Sequence, residues 1–408
     1  MEGGTLKKLF KLVLIISLLY QATAFTTIFL AAAQADEIPS LSTNQSLSIR
    51  HGDESDELNI LFINVGKADA ILLRYNGKAF LIDTGSKDSL PSLFGALNLF
   101  DIKKLDGVFL THTHSDHVGG MEALARYYGV GELYSAVFSE NKKNGKNKIE
   151  ELAQELSLSH RKLRAGERVT IAEDVYIDVL GPIVFDAEDD NDNSLVLKLH
   201  AHDRIFLFVG DMQFRGEDAL LQSGADLNAD VLKVGNHGNP DATSEQFAAA
   251  VSPDYSVIST DSTEDPNSAN ERVLNALRMS NIYVTENFAC GALFQVYTDG
   301  TIEVTDPKLP NVPSNVLIAG VQRDTQTVTL TNKGTDTDVS GFMILSQRGS
   351  ELFVFPDGSL LHSGQSITVS SKPGADYTWP DESKVWHQEK EDSALLYDRF
   401  GNFLTRWD

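Results

Sequence analysis

Cysteine is almost absent from this chain of 408 residues, which contains Cys290 and no other. A single thiol cannot form a disulfide within the chain, so the fold depends on its core and on any bound metal. The absence of further cysteines also excludes a zinc site made of thiolate ligands. Any metal site in this protein must therefore be built from histidine, aspartate and glutamate.

Positive charge is scarce, because 34 lysine and arginine residues face 58 aspartate and glutamate residues and the formal net charge is −24. Tight nucleic-acid binding normally requires a basic face, and this composition supplies a poor one. The excess of negative charge favours solubility. Bound divalent cations would reverse the field locally, so a metal site is the place where an anionic substrate could bind.

The N-terminus has the pattern of a secretory signal. Three lysines within the first eleven residues precede an apolar stretch over 12–20, and Ala31-Ala32-Ala33-Gln34-Ala35 offers small residues for cleavage. We expect a signal peptide over 1–35, a polar linker over 36–57 and a secreted or extracytoplasmic protein without a stable membrane span after cleavage. An uncleaved membrane anchor is the alternative.

A run of six residues over 112–117 contains three histidines and an aspartate. It follows a predicted buried strand and precedes a predicted helix, so these side chains lie on a rigid turn. His112 and His114 point the same way in an extended backbone, and Asp116 and His117 follow at the bend. Nitrogen and carboxylate ligands suit zinc, manganese or iron. The run predicts one or two divalent ions, with a polar turn containing accidental histidines as the alternative.

A catalytic metal needs about three protein ligands and an open position, and two downstream strands can supply the missing ones. Asp211 follows an apolar strand predicted over 205–209, where its carboxylate can bridge two ions. His237 follows a strand predicted over 229–234. Either residue alone could be a capping or surface side chain, but with the histidine run we expect both in the site. Lys233 is a candidate phosphate contact or, equally, an exposed lysine of its strand.

The chain is long enough for two domains. Strands and helices mix throughout 58–306, which predicts an α/β sandwich there. A proline-containing break over 307–314 predicts a linker. Beyond it, short apolar segments alternate with glycine-containing turns, which predicts a small antiparallel all-β sandwich over 315–408.

Several segments of the first domain form a set of motifs along the chain: Asn64-Val65-Gly66-Lys67-Ala68-Asp69-Ala70, Leu81-Ile82-Asp83-Thr84-Gly85, the run over 112–117, Gly210-Asp211 and Lys233-Val234-Gly235-Asn236-His237-Gly238. Together these segments resemble the metallo-β-lactamase fold. Within that fold, the similarity is to the soluble domain of ComEC-type competence (DNA-uptake) proteins, and it covers about 58–306. The resemblance implies a four-layered αββα sandwich with a site for two metal ions between its sheets.

The resemblance also implies a role for each candidate residue. Asp83 would orient the ligands from behind, and Asp116 would orient the attacking water as the catalytic residue. Members of this branch are associated with hydrolysis of phosphodiesters in DNA. The implied ligands are His112 and His114 for the first ion, Asp116, His117 and His237 for the second, and Asp211 as the bridge between them.

The sequence departs from the family pattern at several positions. Many metallo-β-lactamase-fold enzymes have a further histidine for the first ion where this chain has Asn193, and we assign Asn193 as a candidate substrate contact. Ala68 replaces a glycine, and Asn236 stands where a second histidine is usual. The segment over 264–267 replaces a Gly-His-Pro sequence, which removes a plausible proton donor. The missing first-ion histidine leaves a binding protein without turnover as an alternative.

The second predicted domain contains a further set of motifs: Val328-Thr329-Leu330-Thr331-Asn332-Lys333-Gly334, Val339-Ser340-Gly341-Phe342, Phe355-Pro356-Asp357-Gly358, Trp386 and Ala394-Leu395-Leu396-Tyr397-Asp398-Arg399-Phe400-Gly401-Asn402. With these segments, residues 315–408 resemble a lamin-tail domain, an immunoglobulin-like module without catalytic groups. The resemblance implies either a stabilising appendage or a module that tethers the protein to substrate or to a cell surface.

Two other segments could be mistaken for metal sites. His200 and His202 have the same spacing as His112 and His114. They fall between two apolar strands, however, so we predict a surface hairpin turn at the end opposite Asp211. The acidic run over 186–192 predicts a solvated loop, with auxiliary cation binding as the alternative.

The sequence as a whole predicts a secreted metal-dependent hydrolase. Its expected activity is that of a phosphodiesterase or nuclease on extracellular DNA or another phosphodiester, through water activated by one or two zinc or manganese ions. Hydrolysis of another ester or a lactam at the same site, and a catalytically degenerate binding protein, are the alternatives.

Overall fold

The computed structural model describes residues 57–138, 147–380 and 384–408. The predicted signal peptide, its cleavage site and the linker up to residue 56 lie outside the described residues. Within the described ranges, no helix combines the length and the apolar character needed to cross a membrane.

Two β-sheets form the centre of the N-terminal part. The first sheet contains β1 (Leu58–Ile63), β2 (Ile71–Tyr75), β3 (Lys78–Ile82), β4 (Lys104–Leu110), β5 (Gly129–Ala136), β6 (Ser159–Leu163), β14 (Gly291–Val296) and β15 (Ile302–Thr305). Its order is β15-β14-β1-β2-β3-β4-β5-β6. The second sheet contains β7 (Arg168–Thr170), β8 (Tyr176–Gly181), β9 (Val196–Ala201), β10 (Arg204–Phe208), β11 (Val231–Lys233), β12 (Tyr255–Ile258) and β13 (Asn281–Val284). Its order is β13-β12-β11-β10-β9-β8-β7.

Helices cover the outer face of each sheet. They are α1 (Leu90–Leu99), α2 (Ser115–Val118), α3 (Met121–Tyr127), α4 (Lys148–Glu155), α5 (Phe214–Ser223), α6 (Glu245–Val251) and α7 (Glu271–Ala276). Apolar residues of α1, α3 and α4 pack on the first sheet, and those of α5, α6 and α7 pack on the second. A further apolar cluster fills the space between the two sheets. The predicted four-layered αββα sandwich is confirmed.

The strand β1 is apolar from Ile60 to Ile63, and the packing on its two faces explains this. Leu61 and Ile63 pack toward the helix layer, whereas Ile60 and Phe62 pack toward the second sheet. Successive side chains of a strand point to opposite faces, and here both faces are covered. The central strand therefore contributes to two cores at once.

The strands β9 and β10 form the predicted hairpin. His202 and Asp203 have φ angles of 49° and 61°, as a two-residue type I′ turn requires. The ring of His202 packs against Tyr75, with centroids 5.5 Å apart, so this side chain is buried rather than exposed. Asp211 follows the other end of β10, and no cluster of potential ligands among the described residues includes His200 or His202.

The C-terminal part is all β, as predicted. Its strands are β16 (Val316–Gln322), β17 (Thr327–Asn332), β18 (Thr337–Asp338), β19 (Met343–Ser346), β20 (Leu352–Val354), β21 (Leu360–Leu361), β22 (Ser366–Ser370), β23 (Tyr377–Thr378), β24 (Ala394–Tyr397) and β25 (Phe403–Trp407). Trp379 and Trp386 meet edge to face in its core, with centroids 5.6 Å apart. The domain boundaries and the lamin-tail resemblance stay predictions.

The C-terminal strands pack on the outer helix layer of the first sheet. Met343, Leu345 and Leu352 share an apolar cluster with residues of α1 and α3. The side-chain amide of Asn98 donates to the carbonyl oxygen of Arg399 at 2.8 Å. Because the two parts share a core, the C-terminal part closes the helix layer from outside.

Replacing Gly95 of α1 by alanine should weaken this contact. A methyl group there would clash with the backbone of Phe400, and the clash should outweigh the better helix propensity of alanine. We expect a loss of ~1–3 kcal/mol in the free energy of unfolding, measured by urea denaturation. Gly320→Ala is the matched control, because a methyl group at Gly320 meets nothing within 4 Å. Equal stability of the two variants would contradict the proposed packing.

Candidate metal centre

The candidate ligands come from the ends of three strands. The histidine run begins two residues after β4 ends, Asp211 follows β10, and His237 lies in a tight turn after β11, where its φ is +53°. The strands β10 and β11 are parallel, so their carboxyl ends meet at one edge of the second sheet. The end of β4, in the first sheet, faces the same edge, which brings all six predicted ligands together.

One group of ligand atoms combines Asp116, His117, Asp211 and His237, whose atoms all lie within 4.8 Å of one another. The Nε2 atoms of His117 and His237 each lie 3.2 Å from Asp211 Oδ2. His237 Nε2 is 3.4 Å from Asp116 Oδ2. This group has the composition expected of the second ion site.

A second group combines His112, His114 and Asp211. His112 Nε2 lies 3.0 Å from His114 Nδ1 and 3.9 Å from Asp211 Oδ2. Asp211 belongs to both groups, and its side chain is almost completely buried. The structure therefore places one carboxylate between two sets of imidazole nitrogens.

Hydrogen bonds behind the rings determine which nitrogen of each histidine is free. His117 Nδ1 donates to Asp83 Oδ2 at 2.8 Å, and His237 Nδ1 donates to the carbonyl oxygen of Ser259 at 2.9 Å. Each ring therefore presents the lone pair of Nε2 to the site when neutral. These two Nε2 atoms and Asp211 Oδ1 are buried without a hydrogen-bond partner among the described residues. Such unpaired atoms fit a set of metal ligands.

His112 is oriented indirectly by the same carboxylate. The hydroxyl of Thr111 donates to Asp83 Oδ2 at 2.8 Å, so its oxygen accepts from His112 Nδ1 at 3.0 Å. The backbone N–H of Thr111 donates to Asp83 Oδ1 at 2.8 Å. His112 thus also presents Nε2 to the site, and Asp83 contacts the groups that we expected it to orient.

The pKa shifts follow from the close packing of carboxylates and imidazoles. Burial raises the pKa of Asp211, but His117 and His237 outweigh it and hold the pKa well below its usual range. Burial lowers the pKa of His117, but Asp211 and Asp83 raise it well above its usual value. The carboxylates therefore attract positive charge to the ligand rings. Divalent cations would supply that charge, and the residues fit two such ions.

Lys233 and Asn193 do not lie where we expected them. Lys233 is 1% exposed, and its ammonium lies 2.7 Å from Asp69 Oδ2, beneath the ligands. Asn193 is also 1% exposed, and its side-chain amide forms hydrogen bonds with the backbone of Asp186 and the carboxylate of Asp190. Because both side chains are buried and engaged, the structure does not support the substrate contacts that we predicted for them.

The acidic run is only partly a solvated loop: Ala187 and Glu188 are exposed, whereas Asp186, Asp190 and Asp192 are buried. Asp190 Oδ2 accepts from the backbone N–H of Thr113 at 2.8 Å, between the two histidines of the first group. Asp192 Oδ1 accepts from the backbone N–H groups of Gln213 and Gly216, each at 2.9 Å. These carboxylates fix backbone around the site. Nothing in the spacing of the run indicates this role, since its partners are distant in sequence.

Two residues of the site, Lys67 and Asp69, belong to the motif over 64–70, and we predicted no role for either of them from the sequence. Asp69 pairs with Lys233, and Lys67 Nζ lies 3.0 Å from Asp116 Oδ2. Burial lowers the pKa of Lys67, but the Asp116 carboxylate outweighs it and the pKa is raised. Their position in this motif is the feature of the sequence that could have indicated a role in the site.

Part of this chain is similar to known proteins. The model of the metallo-β-lactamase superfamily matches residues 63–262. ComE operon protein 3 of Bacillus subtilis (strain 168) is 28% identical over 276 residues, which are 62% of this chain and 35% of that protein. Competence protein ComA of Neisseria gonorrhoeae is 28% identical over 58% of this chain and 32% of its own length. The chain thus spans about a third of the length of these relatives.

Among solved structures, the metallo-β-lactamase fold protein YhfI from Bacillus subtilis aligns with a TM-score of 0.42 and 14% identity, over 59% of this chain and 100% of that one. The match to the family model and the similarity to the competence proteins identify residues 63–262 as a metallo-β-lactamase domain, as the sequence motifs predicted.

The number of metal ions bound per chain should show which of the two ligand groups a substitution disrupts. We expect about two ions per wild-type chain, measured by plasma mass spectrometry after dialysis. His114→Ala and His237→Ala should each lose about one ion, and Asp211→Asn should lose both, because its carboxylate belongs to both groups. His200→Ala, from the hairpin pair, should keep the wild-type content. Full occupancy in His114→Ala would contradict the first group.

Metal affinity should fall as the pH is lowered. Burial lowers the pKa of His237, but Asp211 and Asp116 outweigh it and raise the pKa to about 9. The metal-free ring therefore keeps a proton at neutral pH, which a cation must displace. We expect about a tenfold loss of affinity per pH unit for each displaced proton, measured by competition with a chelator. An affinity that does not change with pH would count against this assignment.

Proposed function

We propose that the metallo-β-lactamase domain hydrolyses phosphodiester bonds in nucleic acid, with DNA as its first candidate substrate. The proposal rests on one observation, which is that the carboxylate of Asp211 belongs to both ligand groups. Paired sites of this kind suit the in-line displacement at a phosphorus atom, because both the attacking and the leaving oxygen need stabilisation. His114 and Asp116 are reached by solvent, so a substrate can approach.

Two divalent ions at this site would supply an activated water and neutralise charge on the phosphoryl oxygens. Zinc and manganese both suit its nitrogen and carboxylate donors. The protein's own groups hold the geometry: Asp211 lies between the two ligand groups, and Asp83 orients His112 and His117. Asp116, whose side chain is 21% exposed, is placed to accept a hydrogen bond from the attacking water.

The charges of the site favour an anionic substrate once cations are bound. The groups concerned are the carboxylates of Asp69, Asp83, Asp116 and Asp211 and the ammonium groups of Lys67 and Lys233. The carboxylates outnumber the ammonium groups by two, so two divalent ions would make the site positive. The rest of the protein is strongly acidic, so productive binding of a polyanion would concentrate at the metal centre.

The competence relatives support nucleic acid as the substrate class, since their domain is similar to this one. We further propose that the protein acts outside the cytoplasm, secreted or held at the membrane by an uncleaved signal. The C-terminal β domain would then tether the enzyme to substrate or to a cell surface.

Hydrolysis should be tested on bis-para-nitrophenyl phosphate, single- and double-stranded DNA and RNA, with added manganese or zinc. We expect turnover of the model diester and of DNA, and a loss of at least about 100-fold in kcat/KM in His114→Ala, because the first ion is lost. His200→Ala should behave as wild type. Retained activity in His114→Ala would overturn the site, and turnover of only a lactam or thioester substrate would overturn the phosphodiesterase assignment.

A further inference from the structure

The loop between β1 and β2, residues 64–70, runs beside the second ligand group: Asp69 Oδ2 lies 3.9 Å from His117 Nδ1, and Lys67 Nζ lies 3.0 Å from Asp116 Oδ2. Hydrogen bonds fix it at several points: the side-chain amide of Asn64 donates to the carbonyl oxygen of Phe288 at 2.9 Å, and the backbone N–H of Asp69 donates to the carbonyl oxygen of Asp116 at 3.1 Å. Gly66 has a φ of +74°, which suits glycine at this turn. The loop is therefore a rigid support for the side chains that it carries.

Lys67 is the residue of this loop that points toward the open side of the site. Ala68 and Asp69 are each 1% exposed, whereas the side chain of Lys67 is 29% exposed. The backbone N–H of Lys67 donates to Glu264 Oε2 at 3.2 Å. The side chain then extends to Asp116, where Nζ lies 3.0 Å from Oδ2. The ammonium group thus sits between a candidate ligand and solvent.

The ammonium group of Lys67 keeps donors available. A lysine has three N–H groups, and the contact with Asp116 uses one of them. In the part of the chain that the structure describes, Lys67 Nζ has no other hydrogen-bond partner. Lys233 cannot serve in the same way, because it is buried against Asp69. Lys67 therefore offers a fixed positive charge beside the place where a substrate must enter.

We propose that Lys67 contacts the substrate: its ammonium donates to a non-bridging oxygen of the scissile phosphodiester and selects anionic substrates. This inference rests on the proposed function, since it assumes that the substrate binds over the two ligand groups. The competing role is structural, in which Lys67 only holds Asp116 in position. The two roles differ in their kinetics, because a substrate contact changes KM and phosphate affinity, whereas a positioning role changes metal content or kcat alone.

The kinetic test uses Lys67→Gln and Lys67→Arg, with bis-para-nitrophenyl phosphate as substrate. Lys67→Gln should raise KM about tenfold and retain the wild-type metal content, since one charge-assisted hydrogen bond to the substrate is lost. Lys67→Arg should restore most of the affinity, because a guanidinium also binds phosphoryl oxygens. Lys87→Gln is the matched control and should behave as wild type, because Lys87 pairs with Glu122 at 3.7 Å on the surface.

A binding measurement separates this inference from the proposed function. Inorganic phosphate is titrated into each metal-loaded variant by calorimetry, and Lys67→Gln should bind it about tenfold more weakly than wild type. If the protein hydrolyses no diester but phosphate binding still depends on Lys67, the proposed function fails and the anion contact stands. Unchanged KM and unchanged phosphate affinity in Lys67→Gln would overturn the inference. Loss of metal, or a fall in kcat alone, would overturn it in favour of the positioning role.

Discussion

The carboxylate of Asp83 is the group on which the candidate site depends most. It accepts hydrogen bonds from the backbone and hydroxyl of Thr111 and from the ring of His117. Through Thr111 it also determines the tautomer of His112. One buried carboxylate thus holds two ligand rings with their free nitrogens directed at Asp211. A rigid arrangement of this kind lowers the cost of ordering the ligands when a cation binds.

Burying so many charged groups together is unfavourable unless each has a partner. Lys233 and Asp69 form a completely buried ion pair directly beneath the ligands. Removing either partner would leave an uncompensated charge in the interior, which generally costs about 3–5 kcal/mol. The ligands themselves are only partly paired, because His117 Nε2 and His237 Nε2 have no hydrogen-bond partner among the described residues. The protein thus pairs the buried charge of Lys233 and leaves the ring nitrogens of the two ligands open.

The sequence predicted the ligands and the fold better than it predicted the substrate contacts. Ligand chemistry restricts residue types and strand ends expose them, so Asp211 and His237 could be expected at the site from their local sequence. The orientation of Lys233 could not be expected, because its partner Asp69 lies in the loop between β1 and β2, far away in the sequence. Nothing in the sequence around a lysine indicates that its side chain is buried. The same holds for Asp190, whose contact with Thr113 joins segments far apart in the chain. The helix α5 also escaped prediction, since its exposed face is polar and its apolar stripe is short.

The shared core between α1 and the C-terminal strands has a consequence for how such a two-part chain could arise. A module joined by a linker alone can be exchanged between proteins without changing its neighbour, but Gly95 and the backbone of Phe400 must remain compatible with each other. The C-terminal part is then no detachable accessory. Its loss would expose to water the apolar residues of α1 and α3 that share a cluster with Met343, Leu345 and Leu352, so an exchange of the C-terminal part would have to preserve this contact surface.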